Sequence, residues 1–238
     1  EAGDRLTVAG PDWETAAALL ADPATWDGAA PEIVETHAAR VFLAGGRAWK
    51  LRRPVDYGFL DFSTREKRRA AAEAELALNA PHAPCRYLGL AGIGAGPRLI
   101  APGETVPADA EPLVAMRRFE DAALFERMAV AGRLDARLMR RTGRAVAALH
   151  RAAAAAGTGM RLPAMAQAEA GELADLAPVP GAETAARLGA ALRDEAARIA
   201  GTAASRHLRR CHGDLHLGNI VLWQGAPTPF DAIEFNDA

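Results

Sequence analysis

Cysteine is nearly absent: only Cys85 and Cys211 occur in 238 residues, far apart and in unrelated contexts. That excludes a disulfide-stapled scaffold and fits two reduced thiols in a cytoplasmic protein. Aromatics are scarce, at 5%, which argues against a base-stacking surface. Neither sign of charge prevails, with 28 Lys and Arg against 30 Asp and Glu. A general nucleic-acid binder needs a basic surplus, so that class is set aside. No uninterrupted apolar run approaches a membrane span, and nothing near Glu1 reads as a signal peptide. A G-x-x-x-x-G-K-[ST] loop, a G-x-G-x-x-G before Lys50 and a fixed-period repeat are all missing. What remains is half hydrophobic and 24% charged, an ordinary globular composition with length for one large domain or two lobes.

The pattern along the chain is mixed. Pro11-Asp12 followed by Trp13, Ala16, Ala17 and Leu20 at helical spacing predicts a first helix. Ile33–Thr36, Arg40–Leu43 and Arg47–Leu51 read as three antiparallel strands, the last two joined by a Gly45-Gly46 turn. Ser63-Thr64-Arg65-Glu66 has the form of a capping box with Ser63 at the N-cap, opening a helix to about Ala80. Residues 87–107 read as a strand and loops, and Leu113–Met116 as the fifth strand. From Asp121 the period is helical. Residues 134–150 carry Leu134, Leu138, Thr142, Ala145, Val146 and Leu149 on one face, with Gly157 as a stop. Helices within 165–202 break at Pro178–Gly181. The expected architecture is α+β. It has an N-terminal helical extension over 1–31, a β-rich lobe over 32–119 and a mainly helical lobe over 120–238.

Chemistry concentrates near the end of the chain. Cys211-His212-Gly213-Asp214-Leu215-His216-Leu217-Gly218-Asn219 precedes an apolar triplet, Ile220–Leu222. After a Gln224-Gly225 turn, a second apolar run delivers Phe230-Asp231-Ala232. A strand-turn-strand unit returns the chain to its own start, so Asp214, Asn219 and Asp231 can point at one spot. An acid able to take a hydroxyl proton, beside an amide and a second acid able to hold a divalent cation, is a kit for phosphoryl transfer.

The spacing His212-Gly213-Asp214 with Asn219, followed by a hairpin and Asp231, resembles the aminoglycoside phosphotransferase family. This is the small-molecule branch of the protein-kinase-like fold. The segments Val41–Leu51 and Val55–Ser63 resemble bacterial proteins in which such a domain precedes a P-loop nucleotide-binding domain. The resemblance covers the chain from about Glu32 and implies an ATP- and Mg²⁺-dependent transfer to a small-molecule hydroxyl. It implies Asp214 as the base, with Asn219 and Asp231 as Mg²⁺ ligands. Lys50, on the third strand, would hold the nucleotide phosphates and pair with a helix carboxylate, Glu75 in preference to Glu73. Thr36, in the Thr36-His37-Ala38 turn, would cover the phosphates. Met116 would mark the hinge that meets the adenine edge, and Arg117 and Arg118 depart from the more apolar hinge of the family. His212 would be structural. Two other classes stay open: a non-catalytic nucleotide-binding module of a larger ATPase, and a metal-dependent hydrolase built on His212, Asp214 and His216. Helical sequence is expected beyond Ala238 to complete the acceptor wall, with a P-loop domain after it.

Overall fold

A computed structural model describes residues 10–58, 60–83, 86–153, 155, 162–175, 181–200, 209 and 211–232. The readings at Cys85, Gly157 and Pro178–Pro180 lie outside these residues. The chain divides into two compact units: Glu1–Val146 with Asp214–Phe235, and Ala147–Gly213 with Asn236–Ala238.

The first unit opens with α1 (Trp13–Ala21), capped by the Asp12 side chain on the Thr15 N–H. Six strands follow: β1 (Glu32–Glu35), β2 (Ala39–Ala44), β3 (Arg47–Arg52), β4 (Tyr87–Gly94), β5 (Arg98–Ile100) and β6 (Glu111–Arg117). They form one antiparallel sheet in the order β1-β2-β3-β6-β4-β5. Met116 therefore stands on the sixth strand, not the fifth, because residues 87–107 contain two strands. Between β3 and β4 lies α2 (Arg65–Asn79), whose N-cap is Thr64 with its side chain accepting from Lys67 N. This corrects the cap by one residue. The Ser63 hydroxyl is used instead in a 2.6 Å bond to Asp61 Oδ1.

Side chains alternate across a strand, so each strand of this sheet serves two cores. Phe42, Trp49, Leu51, Ala91, Ile93, Leu113 and Ala115 pack against Trp13, Ala16, Ala17 and Leu20 of α1. Ala48, Val114 and Met116 face the other way. They pack with Ala72 of α2, and with Val221 and Phe230 of a hairpin made by β7 (Ile220–Trp223) and β8 (Ala226–Pro229). The short helix α3 (Phe125–Val130) and the first turns of α4 (Ala136–Ala152) complete this unit. Phe125, Met128 and Leu138 bury Ile220 there, with Leu215 and Leu217 packed against them. The predicted face of α4 is buried at Leu138, Thr142 and Leu149.

In the second unit, α5 (Leu162–Asp175) and α6 (Ala182–Ala200) meet through small residues. Ala166, Ala170, Ala185 and Ala196 are buried. Among the described residues, no helix is long and apolar enough to cross a membrane.

Candidate active site

Strand parity builds one wall of the site. Trp49 and Leu51 point into the α1 core, so Lys50 and Arg52 share the opposite face of β3. There α2 presents Glu75, which is fully buried. Lys50 Nζ lies 3.1 Å from Glu75 Oε2 and 2.6 Å from Asp231 Oδ1. Arg52 Nη2 lies 2.6 Å from the same Glu75 oxygen. Glu73 stands elsewhere, half exposed and 3.5 Å from Arg69.

The second wall comes from the hairpin. Ile220 pairs with Pro229, and Phe230 N donates to Asn219 O at 3.0 Å. Asn219 and Asp231 are thereby held at the same end. Asn219 Nδ2 donates to Asp214 O at 2.9 Å and to Asp214 Oδ2 at 3.0 Å. Its side-chain oxygen is left as the group it can offer a cation.

Asp231 adopts a left-handed backbone, φ 61°, which for a non-glycine residue costs on the order of 1–3 kcal/mol. Neighbouring contacts fix it there. Asp231 N donates to Tyr87 Oη at 3.2 Å, and Tyr87 Oη donates to Glu75 Oε1 at 3.5 Å. Ala232 N donates to Asn79 Oδ1 at 2.9 Å, and Asn79 Nδ2 donates to Ala232 O at 3.4 Å. Glu75 and Asn79 lie one helical turn apart, so a single face of α2 holds both the lysine and the segment carrying Asp231.

Burial acts to raise the Asp231 carboxyl. The Lys50 ammonium overcomes this, helped by Arg52 and Arg86, and the group titrates below the ordinary aspartate range. The carboxylate is walled by protein yet 42% accessible, because it opens onto the cleft. Burial, then Glu75 and Asp231, hold the Tyr87 hydroxyl well above its usual value, so it remains a donor.

Lys50, Arg52, Arg86, Tyr87 and Asp231 line one cleft of about 720 Å³, together with Thr36, Met116, Asp214 and Asn219. Over it lies the turn between β1 and β2, with its carbonyls tied down. Arg53 N donates to Ala38 O at 2.9 Å, Tyr57 Oη to His37 O at 3.0 Å, and Arg53 Nη1 to Thr36 O at 3.4 Å. The Thr36 hydroxyl donates to Ala39 O and accepts from Ala39 N. It is committed to its own turn. Trans peptides direct the His37 and Ala38 N–H groups opposite to those carbonyls.

Four residues of the site carry no role in the sequence reading: Arg52, Asn79, Arg86 and Tyr87. Arg52 was legible in principle, two positions from Lys50 on the same strand. Arg86 was not. Its guanidinium is sandwiched 4.5 Å from the Phe119 ring and 4.2 Å from the Phe230 ring, and its Nη1 donates to Arg117 O at 3.2 Å. Arg118 pairs with Glu32 at the cleft mouth rather than standing free in solvent. His212 is buried and belongs to the second unit. Among the described residues, no group of three His, Cys, Asp or Glu is arranged to hold a metal ion.

Comparison with known proteins agrees with this geometry. Residues 39–233 match the model of the phosphotransferase enzyme family. Uncharacterized proteins from Mycobacterium bovis and from two strains of Mycobacterium tuberculosis are each 39% identical over 101 residues. That stretch is 42% of this chain and 18% of those relatives. No solved structure matches the chain significantly.

Proposed function

The chain belongs to the phosphotransferase enzyme family, and from that premise we propose that it transfers the γ-phosphoryl group of ATP to a hydroxyl of a small molecule. One observation carries the reading. Lys50 is gripped between Glu75 and Asp231 in the cleft that Asp214 and Asn219 also line. A buried carboxylate fixing a strand lysine gives a point charge aimed at phosphate oxygens. Asp214 receives the proton as the acceptor oxygen bonds to the γ-phosphorus. The bond from that phosphorus to the bridging oxygen breaks, and ADP leaves.

Asp231 and Asn219 offer two hard oxygen donors, which suits Mg²⁺, an ion that takes few protein ligands beside substrate phosphates. When bound, Mg²⁺ supplies charge neutralisation across the β- and γ-phosphates. Met116 and the backbone after it flank the purine end. His37 and Ala38 offer N–H groups above the phosphates. Because the relatives extend far beyond the matched stretch, the activity and partners of the whole protein, including a P-loop neighbour, are part of this proposal.

The test is a phosphoryl-transfer screen with labelled Mg-ATP against sugars, aminoglycosides and amino alcohols, paired with nucleotide-binding calorimetry. Transfer to one acceptor class supports the reading. Mg-ATP binding without transfer to any acceptor favours a nucleotide-sensing module. Absence of Mg-ATP binding overturns both.

A further inference from the structure

His216 lies in the loop between Asp214 and Asn219, and the reaction as described gives it no part. Its ring is seated against the backbone of Gly218. The Gly218 N–H donates to Nδ1 at 3.0 Å. A Cβ on residue 218 would stand 2.7 Å from His216 Cε1 and 2.9 Å from Nδ1. The imidazole therefore occupies the space that any other residue at 218 would fill. With Nδ1 accepting, the neutral ring carries its proton on Nε2. That nitrogen lies 3.5 Å from Asp214 Oδ2. The same Oδ2 also accepts from Asn219 Nδ2 at 3.0 Å. Asn219 hydrogen-bonds this carboxylate oxygen and the His216 ring stands at ion-pair distance from it, which leaves Oδ1 for the acceptor hydroxyl.

We propose that His216, seated by Gly218, is a positioning residue for the phosphoryl-transfer step, turning Asp214 so that Oδ1 is the atom that takes the acceptor proton. The inference rests on the phosphotransferase reading. A carboxylate held by donors on one oxygen loses the freedom to rotate that oxygen toward the acceptor, and reaction geometry is sensitive to small misplacements. The competing role for His216 is purely local, a side-chain cap for the turn over Leu217–Asn219.

Three variants separate these roles. His216→Asn keeps a side-chain oxygen able to accept from the Gly218 N–H, as an Asx turn does, but has no N–H that reaches Asp214. Gly218→Ala keeps the histidine but displaces its ring, which can swing away as a side chain. His216→Ala removes both functions. The assay is ADP release from Mg-ATP with water as acceptor, so it requires no knowledge of the natural substrate. The γ-phosphorus is attacked by the water oxygen, whose proton passes to Asp214. All three variants are expected to lose about 10- to 100-fold in kcat with the KM for Mg-ATP unchanged. The double variant His216→Ala/Gly218→Ala should lose no more than either single variant, since both act through one ring. Wild-type kcat in His216→Asn or in Gly218→Ala would reduce His216 to a turn cap and overturn the proposal. A wild-type protein that turns over Mg-ATP neither with water nor with any acceptor of the screen above would remove the phosphotransfer reading itself, and this inference with it.

Discussion

At the scale of single residues, the site separates by what each charge addresses. In the proposed reaction Asp214 addresses the acceptor, whereas Lys50 and Asp231 address the nucleotide. Asp214→Asn is therefore expected to lower turnover by about 10²–10⁴-fold while Mg-ATP affinity in calorimetry stays near wild type. Asp231→Ala is expected to weaken Mg-ATP binding far more than binding of metal-free ATP, because the proposed role of its carboxylate is to hold the cation. Asn219→Ala should act in the same direction but more weakly, as a neutral ligand. Equal losses with and without Mg²⁺ would remove both residues from the metal site. No other lysine can take the place of Lys50. The chain contains only one other lysine, Lys67, and that residue pairs with Asp61.

At the scale of elements, the segment between β3 and α2 emerges as a brace. It folds back on itself through Phe62 N to Val55 O at 2.7 Å and Tyr57 N to Leu60 O at 2.9 Å. It then reaches the β1–β2 turn through Arg53 and Tyr57. Tyr57→Phe removes the hydroxyl's tie to His37 O. It is expected to weaken Mg-ATP binding about 2- to 10-fold, the range for one hydrogen bond, and to leave adenosine binding unchanged. An equal loss for adenosine would show that the brace serves the fold and not the phosphates. The same segment is anchored to α2 by Asp61, whose pKa is lowered from 3.8 to about 2 by Lys67 first and then by Ser63. A depressed carboxylate contributes stability above its unfolded pKa and loses it as pH falls through the folded value. Asp61→Asn should therefore melt below wild type at neutral pH. The gap should close as pH falls from about 4 toward 2, as followed by thermal denaturation.

At the scale of the whole molecule, the first compact unit is organised around a sheet with two buried faces. One face lines the candidate site and the other carries α1. Leu20 has no exposed surface within that second core, and Trp13 Nε1 donates to Arg52 O at 2.7 Å across it. The helix thus supports, from behind, the strand that bears Lys50. Leu20→Ala is expected to cost about 2–5 kcal/mol in stability, measured by denaturant unfolding. Mg-ATP affinity of the folded fraction should stay unchanged. A weakened affinity would mean that α1 sets the position of β3 as well as its stability.

Local spacing determined much of this protein. The five-residue step from Asp214 to Asn219, the apolar triplet behind it and the Gln224-Gly225 turn define a loop and hairpin within one short segment. The alternation in β3 likewise separates Lys50 from Trp49 and Leu51. Such features are legible because their geometry is set by neighbours in the chain. Tertiary structure decided the partners. Glu73 and Glu75 lie about 200° apart around a helix, so either can face the sheet until packing fixes the helix rotation. Ala72, against Ala48 and Val114, fixes it with Glu75 inward. The cap moved from Ser63 to Thr64 because Asp61 claims the Ser63 hydroxyl. Arg86 gained its place from two phenylalanines distant in sequence. A periodic sequence specifies which residues share a face, but only the packing of that face against another element determines which charge meets which.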